Sequence, residues 1–199
     1  MTDSVKGNSL AQQFTSKTDN AKKFWYDQSI DYLSWMQKTC VYHRCLWDHL
    51  DIPAEGKIVQ LGVGFGLSLE LLYQRFGART MGIDIFNYCD HPVLYVQDIR
   101  ETKDFKLAYV HCNVGNFNTT PSIRKHGLEW SLRNLVPGGK CVTAGNDPWV
   151  DSELGINMKK FASVHDCHVL DIPNDPLITK MNQIGKYHSK HDCIIVKNQ

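Results

Sequence analysis

No two cysteines of this chain stand in a C-x-x-C pair; the seven lie singly at 40, 45, 89, 112, 141, 167 and 193. That absence excludes zinc-knuckle and thioredoxin-type spacing, and the thiols read as small buried hydrophobes in a reducing, cytoplasmic setting. Charge of one sign is lacking too, since 22 Lys and Arg against 21 Asp and Glu leave a net +1. A protein that grips nucleic acid through its phosphates shows a basic excess, so that partner is disfavoured. No apolar run approaches the roughly 18 residues of a membrane span, and no signal peptide is visible, so the chain is expected to be soluble. Internal repeats and low-complexity tracts are also missing. What remains is 199 residues with 42% apolar content, enough for one domain with a core.

The polar start, 1–23, reads as a flexible tail or lid, and 24–199 as a single domain. Within it, 24–50 carries apolar residues at mixed three- and four-residue spacings, a helical region of about two helices. Asp51-Ile52-Pro53 ends that region, because the residue before a proline is pushed from the helical basin. From 57 to 199 short apolar runs alternate with amphipathic stretches. Strands are expected at 57–61, 80–85, 93–96, 105–112 and 140–144, and helices at 67–76, 122–135 and 151–164. Pro137-Gly138-Gly139 reads as a turn. The last two strands, 167–172 and 191–197, have no convincing helix between them and should pair antiparallel. The fold class is therefore α/β, a doubly wound, mostly parallel seven-stranded sheet with helices on both faces and a C-terminal antiparallel hairpin.

The first strand runs into Gly62-Val63-Gly64-Phe65-Gly66. Glycines there let the chain turn sharply and bring backbone against a ligand that a Cβ would exclude. The helix that follows points its free N–H groups and positive dipole end into the same space, favouring an anionic or carboxylate-bearing ligand. Asp84 ends the next strand, where an acid in doubly wound sheets accepts from ribose hydroxyls. Strand–turn glycines are often structural only; the order of the surrounding features argues for a ligand site.

Ile58-Val59-Gln60-Leu61 with the glycine loop resembles the first motif of class I S-adenosylmethionine-dependent methyltransferases. The dinucleotide fingerprint G-x-G-x-x-G would need glycine at Leu67. Met81-Gly82-Ile83-Asp84-Ile85 is similar to the second motif, Gln97-Asp98-Ile99 to the third, and 135–140 to the turn before strand five. The resemblance implies S-adenosylmethionine as cofactor, held around Gly62, Gly64 and Gly66. It puts Asp84 on the ribose, Ile85 against the adenine, and Asp98 with Ile99 at the adenine amino group. Gln60 stands where the family usually has an acid for the methionine amino group, and His111 ends strand four beside the cofactor.

Methyl transfer is an in-line displacement, so the protein's task is to hold a nucleophile on axis. The ends of strands four and five supply His111, Asn113 and Asn116, then Asn146, Asp147 and Trp149. His111 is the candidate base, with a simple hydrogen-bonded strand-end histidine as its other reading. Asp147 before Pro148 reads equally as catalytic or as a turn residue. The stretch 109–117 faintly resembles the small-molecule O-methyltransferase branch, whose acids bind a divalent metal. Here Asn113 replaces one of them, and one carboxylate among amides is a poor cage for magnesium, so metal-independent chemistry is expected. The leading expectation is methyl transfer to a small-molecule acceptor, with no nucleic acid or membrane partner and a homodimer left open. A protein or RNA acceptor, a cofactor-binding protein without catalysis, and a nicotinamide dehydrogenase are the alternatives.

Overall fold

The computed structural model describes residues 32–114, 121–144, 157–171, 173–176, 178 and 192–199. The expected tail at 1–23 lies outside the described residues, as do Asn116, Asn146, Asp147 and Trp149. The described elements are α1 (Tyr32–His49), β1 (Lys57–Leu61), α2 (Leu67–Phe76), β2 (Thr80–Asp84), β3 (Leu94–Val96) and β4 (Leu107–Cys112), followed by α3 (Pro121–Asn134), β5 (Leu135–Ala144), α4 (Met158–Val164), β6 (Cys167–Leu170) and β7 (Asp192–Lys197).

One seven-stranded sheet carries these strands in the order β3-β2-β1-β4-β5-β7-β6. The pairs from β3 through β5 are parallel, and β7 runs antiparallel to both β5 and β6. Chain order reverses between β1 and β4, which opens a crevice beyond their carboxyl ends. Central strands are buried on both faces, which is why their sequences read as continuous apolar runs. On one face Val59, Leu61, Val110, Cys141 and Ile195 pack with Leu128 and Leu132 of α3. On the other, Ile58, Tyr109 and Val142 meet Leu46 and Trp47 of α1 and Leu71 and Leu72 of α2. Each such fully buried aliphatic side chain contributes about 1.5–3 kcal/mol.

α1 runs unbroken from Tyr32 to His49; the first part of the helical region expected at 24–50 lies outside the described residues. Its buried stripe, Tyr42, Leu46, Trp47 and the following Leu50, fits a 3.6-residue period, and Trp47 donates from Nε1 to the Tyr109 hydroxyl at 3.1 Å. α2 occupies the expected residues and stops at Gly77, whose φ of 58° few other residues adopt. The expected turn at Pro137-Gly138-Gly139 is an excursion inside β5, which already pairs at Leu135 with Leu107 and resumes at Lys140 opposite Tyr109. β3 is short and lies at the sheet edge, which limits pairing with other chains. Of the helix expected at 151–164, Met158–Val164 is seen, with Asn157 capping it through its side chain onto Lys160 N–H. Between β6 and β7, Pro176 and Ile178 are helical, and Ile178 is buried against the α1 side of the core. No described helix is long and apolar enough to cross a membrane.

Cys89, Cys112, Cys141, Cys167 and Cys193 are buried free thiols. Burial pushes the Cys112 thiol up to about 11 and that of Cys141 well above its ordinary value. At pH 7 a thiol near 11 is ionised only to roughly one part in ten thousand, and the thiolate is the reactive form. Native protein treated with a maleimide is therefore expected to keep Cys112 and Cys141 unmodified, while guanidinium-unfolded protein labels all seven cysteines. Peptide mapping that finds Cys112 labelled within minutes in the native state would contradict this packing.

Candidate functional site

At the carboxyl end of β1 the chain bends through Gly62, Gly64 and Gly66, with φ values of 77°, 53° and 88°. The bend is closed by Asp84 at the end of β2. Its Oδ2 accepts from Val63 N–H at 2.7 Å and from Gly64 N–H at 2.9 Å, and its Oδ1 accepts from Phe86 N–H at 3.1 Å. Asp84 thus fixes the loop's shape, a role the sequence did not reveal, and Oδ1 keeps one of its acceptor positions. The glycines differ in what surrounds them. A Cβ at Gly62 would stand 2.5 Å from the Asn113 carbonyl oxygen, and one at Gly66 would meet Cys89, whereas one at Gly64 would enter open space. Gly66 is the N-cap of α2 and no side chain caps that end, leaving first-turn N–H groups directed at the loop.

Expected cofactor residues fall into two groups. Gly62, Gly64, Gly66, Asp84 and Ile85 converge at the loop, Ile85 with 55% of its surface exposed. Asp98 and Ile99 follow β3 and start a short 3-10 helix, where Asp98 accepts from Arg100 N–H as its cap. The Arg100 guanidinium also grips both Asp98 oxygens, Nε donating at 3.0 and 3.1 Å and a terminal nitrogen at 2.5 Å. These bonds hold the Asp98 carboxyl down at about 2. Ile99 is buried in the main core, and its carbonyl accepts from Thr102 N–H at 3.2 Å.

Gln60 is 1% exposed and sits opposite His111 in the β1–β4 register. Its Nε2 donates to the Gly62 carbonyl at 2.9 Å, and its Oε1 lies 2.8 Å from His111 Nδ1. The ring of His43, from α1, meets the His111 ring edge-on at 4.7 Å. His43 stacks on Trp47 at 5.3 Å, and its Nε2 lies 3.2 Å from Ser68 Oγ at the start of α2. His43 and Ser68 were missed from sequence as parts of this cluster. The available signal was a histidine inside the otherwise apolar stripe Tyr42–Leu46–Trp47 of α1. Asn113 stands just past β4 with its side chain exposed and its backbone against Gly62, its N–H donating to the Leu61 carbonyl at 2.8 Å. Beside the loop, Phe65, Phe86 and Tyr88 form a ring cluster with centroids 5.9 and 5.5 Å apart. Among the described residues no three His, Cys, Asp or Glu side chains converge as metal ligands.

Neither a family model nor a curated protein matches the chain. Solved structures do. Magnesium protoporphyrin IX methyltransferase from Synechocystis PCC 6803, with bound S-adenosylmethionine, is 12% identical over 100% of both chains, with a TM-score of 0.53. A S-adenosylmethionine-dependent methyltransferase from Clostridium acetobutylicum is 13% identical, covering 92% of this chain and 98% of its own, with a TM-score of 0.51. The 1,6-didemethyltoxoflavin-N1-methyltransferase of Burkholderia thailandensis, with bound 1,6-didemethyltoxoflavin and S-adenosylhomocysteine, is 13% identical, covering 96% and 92%, at 0.50. Such identities establish likeness of fold. With strands in the order β3-β2-β1-β4-β5-β7-β6 and an antiparallel β7, the chain has the class I S-adenosylmethionine-dependent methyltransferase fold.

Proposed function

We propose that this chain transfers a methyl group from S-adenosylmethionine to a small-molecule acceptor, without a metal, and that His111 is the base. The observation that carries the reading is the glycine loop locked onto Asp84 at the point where strand order reverses, with open space at Gly64. That cradle suits the cofactor. The remaining acceptor position on Asp84 Oδ1 fits a ribose hydroxyl, and the exposed Ile85 fits the adenine face. The uncapped start of α2 fits the methionine carboxylate. Asp98 takes the adenine amino group by exchanging part of its ion pair with Arg100, whose side chain is 59% exposed. Water competes for that exposed guanidinium, so the exchange costs little. When bound, S-adenosylmethionine supplies a methyl group on cationic sulfur, and the carbon–sulfur pair stays on sulfur as the acceptor's lone pair bonds to carbon.

His111 removes the acceptor's proton, Asn113 orients the acceptor with its exposed amide, and Asp147 is retained as a candidate on sequence grounds. The near-balanced charge favours a small molecule over RNA. Two of the similar structures are methyltransferases named for small acceptors. Buried free thiols suit a reducing cytosol.

Incubated with S-adenosylmethionine and a fractionated metabolite extract, the protein is expected to release S-adenosylhomocysteine. His111→Ala should lower that rate by about a hundredfold or more, the usual range for a general base. Full activity in His111→Ala would remove the base assignment. Persistent silence of the native protein across extracts, despite cofactor binding, would identify a binding protein.

A further inference from the structure

We infer that Gln60 is a positioning residue that locks His111 as its Nδ1–H tautomer, so that Nε2 takes the proton. The inference rests on the proposed methyl transfer and concerns the same site. Its basis is the two-ended use of one buried amide. The Gly62 carbonyl can only accept, so the Gln60 atom 2.9 Å from it must be the donating nitrogen. The opposite end, 2.8 Å from His111 Nδ1, is then the amide oxygen, which can only accept. Nδ1 must therefore carry the hydrogen. Flipping the amide would set oxygen against oxygen at Gly62, so the network admits one arrangement. In the neutral ring the lone pair then belongs to Nε2.

This arrangement explains why an amide stands where an acid is expected. A carboxylate at 60 could accept from His111 but could not donate to Gly62 unless protonated. Once ionised it would stabilise the imidazolium, so that more of the resting protein would hold His111 already protonated and without a lone pair to act as base. The link is also mechanical, because the carbonyl that orients Gln60 belongs to the cofactor loop itself. Around His111, α1 brings the titratable His43 edge-on at 4.7 Å, β1 brings uncharged Gln60, and β5 brings uncharged Val142 in register. Ser68 of α2 reaches the cluster through His43. In the proton step the acceptor's O–H or N–H bond breaks and an N–H bond forms at Nε2. After transfer that proton leaves to solvent.

Nitrogen-15 NMR of histidine-labelled, cofactor-free protein reads the tautomer directly, with the His111 signals assigned by their loss in His111→Ala. Protonated Nδ1 and bare Nε2 are expected. Gln60→Glu, nearly isosteric, should raise the His111 titration midpoint by about 1 unit or more, moving the acid limb of the pH–rate profile upward with it. Gln60→Leu should give averaged shifts of mixed tautomers; if that variant does not fold, the native spectrum and Gln60→Glu still decide. Bare Nδ1 in the native protein, or an unmoved midpoint in Gln60→Glu, would overturn the positioning role. Failure to bind S-adenosylmethionine would sink the proposed function but leave the tautomer measurement standing. Bound cofactor with the other tautomer would sink this inference alone.

Discussion

Replacing Asp84 by alanine is expected to weaken S-adenosylmethionine binding by roughly a hundredfold, because one hydrogen bond to a charged acceptor contributes about 1.5–3 kcal/mol. The structure makes the loss compound. Alanine removes the acceptor proposed for the ribose and also strands Val63 and Gly64 N–H, which Asp84 holds at 2.7 and 2.9 Å. The loop then relaxes from the shape that opens the cradle, and affinity falls further than one contact would account for. Asp84→Asn separates the two contributions. Its single amide oxygen can still receive both loop N–H groups, while the amide nitrogen faces Phe86 N–H and the ribose with donors only. About a tenfold loss is expected for asparagine. Equilibrium binding on the three proteins checks the ranking, and unchanged affinity in Asp84→Ala would mean the site is misplaced.

The second large effect separates two glycines of the same loop. Gly62→Ala puts a Cβ 2.5 Å from the Asn113 carbonyl oxygen and 2.8 Å from its carbon, both backbone atoms with little freedom to withdraw. Overpacking costs about 1–3 kcal/mol and left-handed backbone for a non-glycine about 1–2 more. A stability loss on the order of 3 kcal/mol is expected, with a melting temperature lower by roughly 6–12 °C for a chain of this size. Gly64→Ala bears only the backbone cost, since nothing lies within 4 Å of the added atom. Its Cβ enters the cradle, so thermal unfolding should stay within about 2 kcal/mol of native while cofactor affinity drops. Equal melting temperatures for the two variants would show that the Gly62–Asn113 approach does not constrain the fold.

The contrast between these residues shows what the sequence could reveal. Gly62, Gly64, Gly66 and Asp84 were legible because a backbone bend and a strand-end acid leave their marks in residue types at fixed offsets. The sheet was legible for the same reason, with apolar runs alternating with helical periodicity and a different ending at 167–197. The Gln60–His111 bond joins residues 51 apart in sequence, and its existence depends on β1 lying beside β4. No local pattern encodes that adjacency, so Gln60 read only as a cofactor contact and its bond to His111 stayed hidden. His43 was hidden in the same way, since its place against His111 depends on how α1 crosses the sheet. The excursion at Pro137-Gly138-Gly139 has turn composition, yet tertiary pairing of Leu135 with Leu107 draws it into β5. Arg100 was within reach, two residues from Asp98 and able to fold back upon it.

Calorimetric titration of the native protein with S-adenosylmethionine, and separately with NAD, tests the central claim that the loop closed by Asp84 is a seat for the adenosyl sulfonium. Saturable one-site binding of S-adenosylmethionine, sharply weakened in Asp84→Ala, with no binding of NAD, is the predicted result. Tight binding of NAD with none of S-adenosylmethionine would contradict it.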